Sequence, residues 1–337
     1  AMAGSRDHQP GDTAPAIMHI LFVADPLETF KIYKDTTFSM MREAQRRGHR
    51  LSACEVTDIS WTSGARVRAG VRDIVLTGDK QRWFDAGATG LDRRDCELRD
   101  FDAIVMRKDP PFDSEFFYAT HLLEQAEREG ARVFNKPRAL RDHPEKLAVM
   151  EFAQFCGPTL VTRDAQQVRA FHAEHRDIIL KPLDGMGGTG IFRVREDGMN
   201  LGAIIETLNR DGAQSLMVQK YLPEIVAGDK RVLLIGGKPV PYSLARIPQG
   251  SEVRGNLAVG GKGVAQPLSK RDREIGEALG PVLAARGLLL VGVDVIGDYV
   301  TEINVTSPTC FQEIHDQAGC DVPAMFVDAL EAALTDG

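Results

Sequence analysis

The 337-residue chain has no apolar run approaching the roughly 20 residues that a membrane-spanning helix needs. Its first apolar stretch, "IMHILFVA", stops at Asp25-Pro26 and reads as a buried strand. Positive charge is short as well. Lys plus Arg number 41 against 48 Asp plus Glu, a formal charge of −7, which is the wrong sign for a protein that coats phosphate backbones. A dedicated nucleic-acid binder is thereby disfavoured. Five cysteines, at 54, 96, 156, 310 and 320, form no C-x-x-C and are odd in number. Neither a disulfide framework nor a thiolate metal knuckle is indicated, and a reducing cytoplasm fits this usage. The opening "AMAGSRDHQPGDTAPA" lacks the features of a targeting signal. Its Ala-Met start reads as a cloning scar, and residues 1–16 are expected to be disordered.

What is present is an ordinary globular composition, 43% hydrophobic and 26% charged, at a length that suggests two domains or three smaller ones. From 17 to 140, strand-like "IMHILFVAD", a helical stretch from Thr36 to Arg47, "FDAIVMR", "SEFFYATHLLEQAEREG" and "ARVFNKP" alternate. That pattern predicts a parallel sheet with helices on its faces. From 141 to 220, "HPEKLAVMEFA" predicts a short helix. "PTLVT", a helix capped by Asp164 and "DIILKPL" follow, and strands here meet across turns, as in a small α+β lid. From 221 to 337, two hairpins, "RVLLIGGKPVPYSLAR" and "LLLVGVDVIGDYVTEINV", flank a loop and a helix at 269–286.

Between strand-like segments lies "LKPLDGMGGTGIFRV", in which Gly185, Gly187 and Gly190 spell G-x-G-x-x-G. A dinucleotide fingerprint needs a helix next, because the helix N-terminus faces the pyrophosphate. Here Ile191-Phe192-Arg193-Val194 follows, which is β-rich, and the Lys-Ser/Thr of a Walker loop is missing. What remains is a strand-loop-strand flap whose glycines let backbone N–H groups approach phosphate oxygens. A ligand-free glycine hairpin is the plain alternative. Lys181, directly before the loop, and Lys146 decide between them: each alone reads as a surface lysine, and together with the loop they read as phosphate clamps.

In "VGVDVIGDYVTEINV", Asp294 interrupts an apolar strand, and Glu302 and Asn304 share a face by period-two spacing. A three-residue turn at 297–299 would set Asp294 opposite Glu302; a two-residue turn would put it on the other face. Facing carboxylates repel, and a hard cation such as Mg²⁺, which takes one or two carboxylates plus phosphates and waters, would offset this. A solvated acidic edge hairpin is the alternative.

Lysine on a helix, lysine before a glycine flap, "LMVQKYLPE" and the Asp/Glu/Asn hairpin occur in an order that resembles the ATP-grasp superfamily. Together with "MRKDPPFDSEF", "ILKPLDGMGG" and "TEINVTSPT", the stretch "LMVQKYLPEIVAGDKRVLLIGGKPVPYSLARIPQGSEVRGNLAVGGKG" is similar to the bacterial glutathione synthetases. The resemblance runs from residue 17 to the C-terminus. It implies an ATP-grasp fold with an N-terminal parallel-sheet domain (17–140), a lid domain (141–220) and a C-terminal catalytic domain (221–337). It implies further that Lys146 and Lys181 hold ATP phosphates under Gly187 and Gly188, that Gln219 and Leu222 border the adenine, and that Asp229 approaches the ribose. Asp294, Glu302 and Asn304 would bind Mg²⁺, with Mn²⁺ as an alternative. The loop "RIPQGSEVRGNLAVGGKG" would be a mobile substrate loop carrying Arg254.

The implied reaction joins glycine to γ-glutamylcysteine through an acyl phosphate, in a cytoplasmic homotetramer with no membrane or nucleic-acid partner. Carboxylate meeting triphosphate is repulsive, so Arg231 and Arg246 join the two lysines and the cation in offsetting charge. Arg107, at a strand end, is expected to meet a substrate carboxylate, with surface arginine as the alternative. Ser307 in "TSPT" is assigned to the peptide substrate, and Cys310 beside it to packing. A D-alanine ligase or a protein-modifying glutamate ligase would share the ATP residues. A nicotinamide-dependent oxidoreductase would need the missing helix.

Overall fold

The computed structural model describes residues 16–87 and 92–336; the expected disordered extension lies, but for Ala16, outside the described residues. Three sheets organise the described residues. The first is built from β1 (His19–Val23), α1 (Thr36–Arg46), β2 (Arg50–Cys54), β3 (Ile59–Ser60), β4 (Arg68–Leu76), β5 (Phe84–Asp85), β6 (Arg94–Glu97), β7 (Ala103–Met106), α2 (Ser114–Arg128), β8 (Val133–Phe134) and α3 (Pro137–Asp142). Its strand order is β3-β4-β2-β1-β7-β8, with β5 and β6 also on β4. Only β2, β1, β7 and β8 are mutually parallel. The expectation of a parallel sheet is therefore corrected to a mixed one. The described residues between 55 and 97 form no crossover helix, and β4 pairs with β2, β3, β5 and β6 in the antiparallel sense. The helices start where acids can accept their free N–H groups: Asp35 takes Phe38 N at 2.7 Å and Asp113 takes Phe116 N at 2.9 Å.

The second sheet is antiparallel, in the order β11-β10-β12-β9. It contains β9 (Thr159–Thr162), α4 (Ala165–His175), β10 (Ile178–Pro182), β11 (Phe192–Val194), α5 (Leu201–Asn209) and β12 (Leu216–Lys220). It closes on a core of its own, with Val168, Ile178, Leu180, Ile205 and Val218 fully buried. The helix expected in "HPEKLAVMEFA" begins only after Lys146 and is a 3-10 helix, Ala148–Phe155, kinked at Phe152. Glu145 is held out of it because its carbonyl accepts Ile303 N at 3.1 Å.

The third sheet comprises β13 (Asp229–Ile235), β14 (Lys238–Pro239), β15 (Tyr242–Ile247), β16 (Lys262–Pro267), β17 (Leu290–Ile296) and β18 (Tyr299–Asn304), with α6 (Lys270–Ala285), α7 (Phe311–Ala318) and α8 (Val322–Thr335). It too is antiparallel, in the order β16-β15-β13-β17-β18. The first and third sheets share two continuous apolar cores. Ile104 and Leu123 pack in one cluster with Val232 and Val293, and Phe22 and Val105 pack in another with Leu233 and Phe311. The Asn135 amide stitches them further, donating to Leu290 O and Val305 O at 2.8 Å each and accepting Leu290 N at 3.0 Å. No helix among the described residues is long and apolar enough to cross a membrane.

Candidate active site

The second and third sheets face each other across a crevice of about 330 Å³. Lys146, Lys181, Gly187, Gly188, Gln219, Leu222, Asp229, Arg231, Arg246, Arg254, Asp294, Glu302, Asn304 and Ser307 all line it. Arg107 does not: it lies behind the wall, fully buried, donating Nε to Thr37 Oγ1 at 3.0 Å and Nη2 to Pro308 O at 2.9 Å. Its Nη1 has no partner. Pro308 itself is on the crevice wall.

Lys181 comes from the middle of β10, whose pairing with β11 on one side and β12 on the other fixes its direction. The side chain is 7% exposed, yet no hydrogen bond or ion pair reaches its ammonium among the described residues. Burial lowers its pKa against the opposing pull of Glu302. Lys146 is better satisfied, with Glu302 Oε1 at 2.9 Å and the flap carbonyl of Gly185 at 2.8 Å. The loop between β10 and β11 is thus a flap over two cations, as strand-loop-strand geometry predicts. Its tip, Gly187 and Gly188, has φ of +59° and +84°, where glycine is the residue that fits without strain.

The carboxylate hairpin reaches the anticipated pairing by another route. The turn holds two residues, since Ile296 pairs with Tyr299 and Val295 with Val300. That register alone would turn Asp294 away. A bulge inserts Thr301, and Asp294 then lies opposite Glu302, with Gly292 opposite Asn304. The anticipated repulsion is also met differently. Arg231 Nε donates to Asp294 Oδ1 at 2.7 Å, and Arg246 Nη2 stands 3.1 Å from the same oxygen. Burial works against the Asp294 charge, but the two guanidiniums overcome it and hold the carboxyl well below its ordinary range. Asp229, at the start of β13, goes the other way: burial pushes its pKa up, against Arg246 3.0 Å away. Arg246 Nη2 and Asp229 Oδ1 are close but out of line, and neither completes a hydrogen bond.

Arg254 rides on the loop between β15 and β16 and donates Nη1 to Gly188 O at 2.8 Å, so loop and flap meet over the crevice. Ser307 Oγ donates to Asp109 Oδ1 at 2.6 Å, joining the third sheet to the end of β7. Gln219 sits on β12 opposite Ile179 and Thr159; Leu222 follows the strand at the entrance to a 3-10 turn. Sequence reasoning missed Glu145. Its half-buried carboxylate accepts Thr306 Oγ1 at 2.6 Å, Thr306 N at 3.1 Å and Val305 N at 3.3 Å, and so anchors Lys146 against the segment carrying Asn304 and Ser307. Nothing in the letters "PEKL" marks a half-buried acid.

The donor set suits a hard divalent cation only in partnership. No cluster of three or more His, Cys, Asp or Glu among the described residues is placed to hold a metal. Glu302, the Asn304 amide oxygen and the Asp294 oxygen that the arginines leave free offer oxygen ligands on one wall, and phosphate oxygens would have to complete the sphere.

A glycine flap on one antiparallel sheet, closing over a second that carries paired arginines and carboxylates, is the arrangement of the ATP-grasp fold. Two solved structures share the fold: D-cycloserine synthetase DcsG, with a TM-score of 0.65 at 16% identity over 94% of this chain and 99% of that one, and the ATP-grasp ligase PsnB, with 0.59 at 19% over 94% and 99%. At such identities the likeness concerns the fold alone. Sequence relatives carry the matter further. Residues 18–141 match the prokaryotic glutathione synthetase N-terminal domain, and residues 145–319 match the prokaryotic glutathione synthetase ATP-grasp domain. Glutathione synthetases of Ralstonia nicotianae (60% identical over 94% of this chain and 96% of that protein) and Bordetella parapertussis (56% over 94% and 99%) align along nearly their whole length. So does that of Neisseria meningitidis serogroup A, at 54% over 93% and 98%. The chain belongs to the prokaryotic glutathione synthetase family; it is an ATP-dependent ligase, and its activity is glutathione synthesis.

Proposed function

We propose that this crevice joins glycine to γ-L-glutamyl-L-cysteine through an acyl phosphate, with the residues above in the following roles. Lys146 and Lys181 hold the triphosphate from below, and the backbone N–H groups of Gly187 and Gly188 hold it from above. Gln219 and Leu222 border the adenine and Asp229 the ribose. Glu302, Asn304 and the free oxygen of Asp294 would hold Mg²⁺, or Mn²⁺ in its place, and such an ion would supply charge that offsets the phosphates. Ser307 serves the peptide substrate, and Arg107, buried behind the wall, supports that side of the crevice through the Pro308 carbonyl it holds. The division into a substrate domain (17–140), a lid (141–220) and a catalytic domain (221–337), the homotetramer and the cytoplasmic setting belong to the same proposal.

In the first step a carboxylate oxygen of the cysteinyl residue attacks the γ-phosphorus and ADP leaves. In the second, glycine's amine attacks the acyl carbon, phosphate leaves, and the nitrogen keeps one hydrogen as the amide N–H and gives up the excess. Both transition states gather negative charge, and Arg231 and Arg246, which line the crevice, would offset it, while Arg254, held by Glu252 and the flap carbonyl of Gly188, would close the loop over the site. No side chain needs to act as nucleophile, which leaves Cys310 to packing. The single observation that carries this reading is Lys181: a buried lysine whose ammonium has no partner among the described residues, under a glycine flap, is explained by an anionic ligand. The test is to supply γ-glutamylcysteine labelled with ¹⁸O in its cysteinyl carboxylate. An acyl phosphate transfers one label to inorganic phosphate; unlabelled phosphate would rule this chemistry out.

A further inference from the structure

The two glycine-bearing segments over the crevice are joined by one arginine, and that arginine is held by one acid. Arg254 donates Nη1 to Gly188 O of the flap at 2.8 Å, while its Nε and Nη2 donate to Glu252 Oε1 and Oε2 at 2.8 and 2.7 Å. The same carboxylate accepts the backbone N–H of Val253 at 2.9 Å and of Arg254 at 3.1 Å. Glu252 therefore sets both the turn of the chain into Arg254 and the direction of its guanidinium. This is a two-pronged charge-assisted contact, geometrically the most specific that an arginine makes.

The junction has little freedom to slide. A Cβ on Gly188 would lie 2.9 Å from Asn256 Oδ1 and 3.3 Å from Arg254 Cδ, so flap backbone and loop side chains are already in contact. At the neck of the loop, Gly261 N donates to Asn256 O at 3.1 Å, and a Cβ on Gly255 would collide with the Arg246 carbonyl. The Glu252 side chain keeps 29% of its surface exposed, so the pair adds little to global stability. Its effect is directional. The Arg254 hydrogen bond draws the Glu252 carboxyl down to about 2, which favours its charged form.

We infer that Glu252 is a positioning residue that holds Arg254 as a latch between the substrate loop and the glycine flap, so that the two close over the reacting carbonyl as one unit. The inference rests on the acyl-phosphate reading for its chemical purpose. With the latch released, water attacks the acyl phosphate, carboxylate and phosphate are regenerated, and ATP is consumed without a peptide bond.

Two readouts test this. In the first, Glu252→Gln keeps an acceptor for the backbone N–H groups but removes the charge that directs the guanidinium. The ADP formed per glutathione is expected to rise several-fold above the wild-type ratio of one, Glu252→Asp is expected to bring it back toward one, and the melting temperature should stay put. A merely structural role would lower rate and stability together and leave the ratio alone; one ADP per glutathione in Glu252→Gln overturns the latch. In the second, hydrogen exchange is followed on adding a non-hydrolysable ATP analogue. In the wild type the amides of 187–188 and 254–258 should gain protection together, and in Glu252→Gln the loop amides should lose that gain while the flap keeps it. Independent protection in the wild type also overturns the latch. Because the exchange readout needs no turnover, it stands even if γ-glutamylcysteine proves to be the wrong substrate, which the wild-type assay reports separately.

Discussion

Lys181 is buried with no partner for its ammonium among the described residues, and a residue so placed should cost stability while serving ligand binding. Lys181→Met is accordingly expected to melt at or above the wild-type temperature while kcat/KM falls by about 10²- to 10³-fold or more, the scale seen when one preorganised charge donor is lost. A melting temperature well below wild type, or near-normal turnover, would show that the lysine is structural. Its protonation gives a second prediction. Burial lowers the pKa in the unliganded protein, and a triphosphate alongside must raise it again. Between the two values nucleotide binding takes up a proton, so affinity falls as pH rises through that window. Calorimetry in two buffers of different ionisation enthalpy, repeated at rising pH below the ordinary lysine value, should show net uptake in the wild type and none in Lys181→Met. The lysine and the glycines beside it were legible in the sequence because flap and clamp are neighbours along the chain. The arginine pair on Asp294 was legible only as a set of cations: Arg231 and Asp294 are 63 positions apart, and only the β13–β17 register brings them to 2.7 Å. Glu145 gave no signal, because a half-buried acid and a solvated one are the same letter.

At the level of the element, the hairpin β17–β18 carries the clearest lesson. Period-two spacing put Glu302 and Asn304 on one face, and that held; the turn length was open from the letters and is two residues, and the bulge at Thr301 restored the face that such a turn alone would have lost. Deleting Thr301 should regularise the ladder and rotate either Asp294 or the Glu302–Asn304 pair away from the crevice. Metal-dependent turnover is expected to drop by at least about 100-fold with far-ultraviolet circular dichroism unchanged. Retained activity would mean that these oxygens do not act together. Helix starts were legible for a local reason, since Asp113 and Asp164 cap from the residue before the first turn. The antiparallel partners of β4 were not, because pairing across residues 55–97 is set by tertiary contact and leaves no periodic trace in so short a set of strands.

Among the described residues, the first and third sheets share their cores, while the flap-bearing sheet has a core of its own on one face and gives Met217 from the other to a shared cluster. Stability should divide along the same line. Ile205→Ala, in the separate core, is expected to cost about 2–5 kcal/mol locally, so that the flap-bearing sheet opens at lower denaturant than the rest, as reported by hydrogen exchange on β10 and β12. Asn135→Ala, which cuts the stitch between the first and third sheets, should instead lower the single main transition by at least about 1–3 kcal/mol. A shift of the main transition by Ile205→Ala equal to that by Asn135→Ala would contradict this division. The cationic crevice lies where the separate sheet faces the joined ones, which lets a nucleotide close it without disturbing either shared core. What the charges there are for is tested most directly by one assay: ADP release and glutathione formation measured together, with γ-glutamylcysteine, glycine, ATP and magnesium. The wild type should release one ADP per glutathione only when both substrates are present, and Lys181→Met almost none. ADP release that ignores either substrate, or its absence with the full set, would contradict the assignment of this crevice to glutathione synthesis.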